Sequence, residues 1–213
     1  MGILIAVVVV VVIGLIGLLV YFGFRNHKRV MGVLAEQPGW AAAHGFTYHA
    51  GFLKLPDASI EAPFSGTGIN GGYFEGAHRG HRARAYVHTF EGHKDGSYRT
   101  IRYAVAAVPN DRPGLFLDLA PRGSGKRHGE PTALGDAEFD NRFALRTNDF
   151  QYARWLLRPE ALAWIRQEPR FEQMPVRFDR GWILTWYEDH LNPKVLPTQF
   201  EFLTEIATRL IGR

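Results

Sequence analysis

An α+β fold is predicted: an N-terminal transmembrane helix followed by a mainly antiparallel sheet with packed helices. Three observations predict it. From Ile3 to Phe24 every residue is apolar, glycine or tyrosine. Stretches of period-two alternation then succeed one another across short polar loops, as antiparallel neighbours do. The last third carries helix caps and an amphipathic stripe. The chain divides into an anchor over 1–24, a basic juxtamembrane segment over 25–37 and a soluble domain over 38–213.

The apolar run spans about 33 Å as a helix, enough for a hydrocarbon core of about 30 Å. A soluble helix is rarely apolar on all sides for that length. A cleaved signal peptide would need a charged start and a small-x-small cleavage site. Nothing charged precedes Ile3, and Tyr21-Phe22-Gly23-Phe24 offers no such site. Myristoylation needs Ser or Thr where Ala6 stands. The run therefore reads as an uncleaved single-pass signal-anchor in the plasma membrane. Arg25, Lys28 and Arg29 follow it directly, and the first acid is Glu36. Positive charge on the C-terminal side predicts a cytoplasmic domain.

Pro38 to His44 reads as a short helix stopped by Gly45. Residues 51–72 are rich in Pro, Gly, Asn and Asp and read as a loop. Tyr73–His78 is a strand, Arg79-Gly80 a turn, and His81–Phe90 the returning strand. In it Ala83, Ala85, Val87 and Thr89 face one way, and Arg82, Arg84, Tyr86 and His88 the other. Tyr98–Val108 and Leu115–Ala120 continue the sheet, and residues 121–131 form a loop. Phe143–Arg146 is a short strand, and Asn148 with Gln151 caps the helix after it. Pro159 opens another helix. Val176–Phe178 and Trp182–Tyr187 form a hairpin across Asp179-Arg180-Gly181. In the last helix Thr198 and Glu201 make a capping box, and Phe200, Leu203, Ile206, Ala207 and Leu210 form the buried stripe.

Composition narrows the function. The net charge of +4 is largely juxtamembrane. Apart from Arg25, Lys28 and Arg29, the basic residues nearly match the 21 acidic ones. The soluble domain thus lacks the broad basic footprint of a nucleic-acid binder, and no nucleic acid is expected as partner. The absence of cysteine excludes disulfides, thiolate metal sites and cysteine nucleophiles.

Several stretches carry a family likeness. They are His44-Gly45-Phe46-Thr47-Tyr48, Gly76-Ala77-His78-Arg79-Gly80-His81-Arg82, Phe139 with Phe143, Asp149-Phe150 through Ala153-Arg154 to Leu157-Arg158-Pro159, and Asp179-Arg180-Gly181-Trp182-Ile183-Leu184. In order and spacing the chain resembles an uncharacterised family of bacterial single-pass membrane proteins from high-GC genomes. The resemblance implies an N-terminal anchor and a soluble α+β domain. It implies no catalytic residue.

The chemical constellations are sparse. Most of the nine histidines fall between His44 and His93, but His81 and His88 differ by an odd number and face opposite sides of a strand. They read as solvated, with no metal. Gly123-Ser124-Gly125-Lys126 fails the phosphate-loop spacing at Ala120 and Arg127. No serine lies in Gly-x-Ser-x-Gly. Asp136, Glu138 and Asp140 are explained as well by helix capping as by acid–base work. Trp155, Trp164, Trp182 and Trp186 read as core. Arg79, Arg82 and Arg84 form a basic cluster whose forks suit anionic lipid, with Arg25, Lys28 and Arg29 as the juxtamembrane set. No catalytic residue and no cofactor is predicted. The expected function is a binding or scaffold domain held at the bilayer, with another membrane or envelope protein as candidate partner. The alternative is an enzyme of envelope or lipid metabolism whose site carries no recognised motif.

Overall fold

The computed structural model of the chain describes residues 2–53, 64, 68–94, 96–110, 115–124 and 129–212, with side chains for all of these except 2–11, 19, 26, 27, 29, 52, 53, 69 and 94. The chain begins with helix α1 (Gly2–Ala43). Strands β1 (Thr47–Leu53), β2 (Ile69–His78), β3 (His81–Lys94), β4 (Ser97–Pro109) and β5 (Leu117–Pro121) follow. Helix α2 (Ala137–Arg142), strand β6 (Phe143–Thr147) and helices α3 (Phe150–Leu156), α4 (Pro159–Gln167) and α5 (Arg170–Gln173) come next. The hairpin β7 (Val176–Asp179) and β8 (Trp182–Glu188) leads to α6 (Leu196–Ile206), which ends in a π-helical turn, Ala207–Ile211.

The strands form one sheet in the order β1-β2-β3-β4-β8-β7-β5-β6. Every pairing is antiparallel. The predicted α+β class therefore holds for the sheet and its helices. Among the described residues no helix is long and apolar enough to cross a membrane. The segment read as the anchor forms the first half of α1, and the side chains of residues 3–11 and 19 lie outside the described ones.

The hairpins follow from their turn residues. Arg79 and Gly80 take φ of 50° and 80°, and Arg180 and Gly181 take 51° and 78°. Two successive positive φ values make the two-residue turn whose twist matches antiparallel strands. The Gly181 carbonyl also accepts from Asn110 N at 2.7 Å, so the turn is tied to the end of β4. Gly181→Val puts a β-branched residue in the left-handed region and is expected to cost about 1–3 kcal/mol. Urea unfolding of the full-length protein measures this; an unchanged midpoint contradicts it.

Both faces of the sheet are covered. On one, Ala83, Ala85, Ala104 and Ala106 leave room for α6, whose stripe Phe200, Leu203, Ile206, Ala207 and Leu210 is buried as expected. On the other, Tyr86, Val105, Trp182, Leu184 and Trp186 form a second cluster with Phe64. The Phe64 ring lies 5.1 Å from that of Trp186 and edge-on to His88 at 5.4 Å.

Several expectations need correction. The short helix from Pro38 is the end of α1, so Pro38 sits inside a helix and costs it one backbone hydrogen bond. Strand β1 and the start of β2 enter the segment read as a loop over 51–72. Register shifts beside Gly51 and Gly72 break the alternation that would have shown them. The cap of α3 is Asp149, which accepts from Tyr152 N at 2.9 Å; Asn148 instead accepts from Phe116 N at 2.8 Å. Helix α6 starts before the expected capping box, with Pro197 in its first turn and no side-chain cap. Trp155 is 51% exposed, although Trp182 and Trp186 are core.

Candidate functional site: a polar groove beside the N-terminal helix

A groove of about 380 Å³ opens where α1 passes the sheet. One wall is β4, with Arg99, Thr100 and Arg102. The other is the end of β8 and the residues after it, Glu188, Asp189 and His190, and Val30 of α1 closes the side. Strand pairing builds this arrangement, since Tyr103 of β4 lies opposite Glu188. The segment after β8 is pinned twice. Tyr187 Oη donates to the His190 carbonyl at 3.1 Å and accepts from Asn192 N at 3.0 Å. Gln37 of α1 donates through Nε2 to the buried Leu191 carbonyl at 2.8 Å.

The walls carry both signs of charge. Arg99 Nη2 lies 3.6 Å from Glu188 Oε1. Thr100 Oγ1 donates to Glu91 Oε1 at 2.6 Å. Asp189 Oδ1 accepts from His190 N at 2.7 Å. Burial lowers the His190 pKa below the ordinary histidine value; Arg102 adds to this and Asp189 opposes it. The groove is thus lined by paired charges of both signs, with Arg99 bridging to Glu188.

The course of α1 sets where this groove lies. Phe46, just past the helix, rests on Gly76 of β2. Further back, Gln37 lies beside Gly72, and further still Val30 lines the same groove as Arg102. The helix therefore runs along the sheet from the β2–β3 turn toward the β3–β4 turn. Val30 to Phe24 is roughly 9 Å of helix. The groove thus sits close to the end of the apolar run, and Arg25 and Lys28 lie between them.

The predicted basic cluster lies at the other end. From Arg82 to Gly92, the strand partner of Arg99, β3 covers about 33 Å. Arg79 Nη2 donates to Glu201 Oε1 of α6 at 2.7 Å. Arg82 Nε donates to Glu75 Oε1 at 3.1 Å. The Glu75 pKa is lowered first by that bond. Arg84 corrects the expectation of an exposed trio: it is buried, with its guanidinium 3.6 Å from the Trp182 ring centroid. Of the juxtamembrane residues, Lys28 Nζ lies 4.8 Å over the Phe24 ring, Arg25 is exposed, and the side chain of Arg29 lies outside the described ones.

The remaining candidates resolve structurally. His88 is not solvated but buried, with Nδ1 2.9 Å from Asn70 Oδ1. Asp136 caps α2, accepting from Phe139 N at 3.0 Å. That bond lowers its pKa most, and Arg166 contributes. Asp140 accepts from Leu134 N and Gly135 N, both at 3.0 Å. Ser124 Oγ donates to the Pro121 carbonyl at 2.6 Å, while residues 125–128 lie outside the described ones. Among the described residues no group of three or more His, Asp or Glu could hold a metal ion.

The groove residues escaped notice because they come from three distant stretches, at 30, 99–102 and 188–190. None has a motif spacing. Arg99 and Arg102 fall in the predicted strand Tyr98–Val108, where nothing in their spacing marks them out.

No family model and no curated protein matches the chain. Its fold is similar to the crystal structure of the mycobacterial trehalose monomycolate transport factor A, TtfA, with a TM-score of 0.53 and 15% identity, over 82% of this chain and 96% of that one. At this identity the likeness shows the fold alone: an antiparallel sheet with packed helices.

Proposed function

We propose that the chain is a single-pass membrane protein whose α+β domain acts as a binding or scaffold module at the bilayer, with a role in the cell envelope. One observation carries this. From Val12 to Phe24 the large apolar side chains described on α1 are 47–66% exposed, on every side of the helix. Water does not favour that much apolar surface on a single helix, whereas lipid does. The unbroken apolar sequence from Ile3 supports the same reading. So does the likeness in fold to a transport factor for trehalose monomycolate. Membership of the bacterial single-pass family is part of the proposal, as is a cytoplasmic domain, which the charges at Arg25, Lys28 and Arg29 favour.

The protein is expected to remain in the membrane fraction through high-salt and alkaline carbonate washes. Salt would screen an attachment made by surface charges alone. Carbonate release of the intact protein would end the anchor reading. A phosphatase fused after Arg213 should be inactive and a fluorescent protein bright; the opposite pair reverses the orientation.

A further inference from the structure

We propose that the tip of the β3–β4 hairpin is a membrane-contact surface, set in the interfacial layer of the bilayer that holds α1, with Tyr98 as its aromatic anchor. It rests on the anchor reading and adds to it a second contact with the same bilayer.

The hairpin stands out from the sheet. Strand β2 pairs with β3 only as far as Ile69↔Thr89, and β8 with β4 only as far as Tyr103↔Glu188. Beyond those points, among the described residues, the rungs from Phe90↔Ile101 to Lys94↔Ser97 pair with each other and with no further strand. Such a two-stranded ribbon extends about 15 Å and is marginal in water by itself. Its base is braced, since Phe90 and Ile101 pack over Gly92 and Arg99 reaches Glu188 across the groove. Its tip is not covered by the domain: Tyr98 is 66% exposed, with its ring edge-on to that of His93 at 5.1 Å.

The course of α1 says what meets that ring. The helix runs toward this turn, so the hairpin and the apolar run leave the domain at the same end. Val30 and Arg102 line one groove. From there Tyr98 lies about 13 Å further along β4, and Phe24 roughly 9 Å further along α1. With residues 3–24 in the bilayer, Tyr98 stands level with the last turn of the anchor, where hydrocarbon gives way to headgroups. Tyrosine is favoured in that layer because its ring is apolar while its hydroxyl stays wet. The charges of the projecting ribbon cancel, Glu91 and Asp95 against Lys94 and Arg99. The contact is therefore made by the aromatic ring and is indifferent to lipid charge and to salt.

The chain has no cysteine, so Ser97→Cys places a single nitroxide beside Tyr98. The full-length protein is set in nanodiscs of phosphatidylcholine alone. Power saturation then compares the access of oxygen, which enters the bilayer, with that of a nickel chelate, which does not. The same label at Ala77, an exposed position at the far end of β2, gives the water reference. The label at 97 should be open to oxygen and shielded from the chelate; the label at 77 should be open to the chelate. Tyr98→Ser should bring the chelate access at 97 to that seen at 77, whereas Tyr98→Trp should keep the shielding. Replacing part of the lipid by phosphatidylglycerol, or raising the salt, should change nothing. A melting curve checks the folding of each variant, and the protein with Tyr98 intact decides by itself whether the tip meets lipid. Equal chelate access at 97 and 77 overturns the contact, and so does shielding of 97 from both reagents, which marks burial in protein. Shielding that survives Tyr98→Ser, or that needs phosphatidylglycerol, overturns the assignment to the aromatic ring. A carbonate wash of the same protein in liposomes separates the two readings: release ends the anchor reading, whereas a retained protein with an open label at 97 ends this one alone.

Discussion

Asp118→Ala is expected to cost about 3–5 kcal/mol of folding stability, because it strips the counter-ion from a fully buried arginine. Arg177 is 0% exposed, and its Nε lies 3.5 Å from Asp118 Oδ1. Arg146 Nη1 approaches the other carboxylate oxygen at 4.0 Å, so one carboxylate serves two guanidiniums. Strand register enforces this: Asp118 of β5 stands opposite Arg146 on one side and Arg177 on the other. The guanidinium of Arg177 also lies within 5.5 Å of the Phe64, Phe116 and Trp186 ring centroids. Cation–π contacts with these rings offset part of the lost hydration but supply no full negative charge in place of the carboxylate. The double variant Asp118→Leu/Arg177→Met removes this buried charge pair and should recover part of the loss, the remainder falling on Arg146, which also loses Asp118. Chemical unfolding of the four corners of that cycle decides the matter. A single variant within about 1 kcal/mol of wild type would show that the charge is compensated elsewhere.

That cluster also explains how far the sequence could be read. The alternation of β3 was legible, and so were the two-residue turns at Arg79-Gly80 and Arg180-Gly181 and the stripe of α6, because each depends on residues close in sequence. What lay hidden was the second covered face. Arg84 and His88 alternate with alanines and valine, which reads as polar-out on a half-buried strand. Phe64, from a segment read as loop, packs against His88, and Arg84 lies over the Trp182 ring. Burial on the second face is a tertiary fact that the strand's own pattern does not carry. The groove is the same case: Val30, Arg102 and His190 meet only because α1 runs along the sheet and β4 pairs with β8.

Gly76→Val is expected to detach the end of α1 from the sheet. A Cβ at Gly76 would lie 2.8 Å from Phe46 Cγ and Cδ1 and 2.9 Å from the Gly45 carbonyl oxygen. Neither neighbour can give way easily. The Phe46 ring is stacked on Phe200 of α6 at 5.3 Å and tilted against Trp40 at 5.5 Å. Gly45 holds a φ of 73° at the helix end, and Phe46 N donates to the Ala41 carbonyl at 2.8 Å. Glycine is required here by close approach, not by backbone conformation, since Gly76 is paired in an ordinary strand with Ala83. Overpacking of this kind costs about 1–3 kcal/mol for Ala and more for Val, whose extra methyl groups add to the clash. The change should also loosen α1 against β2, because Phe46 packs with Trp40, whose ring meets Phe74 of β2, at the helix end. Hydrogen exchange should rise across residues 36–46, with the β7–β8 hairpin unchanged. Gly76→Ala/Phe46→Leu, which shortens the ring, should regain part of the loss; Phe46→Leu alone should cost stability. If Gly76→Val leaves both the melting midpoint and the exchange of residues 36–46 as in wild type, α1 is not seated on the sheet at this point, and the path that brings Val30 to the groove must be redrawn.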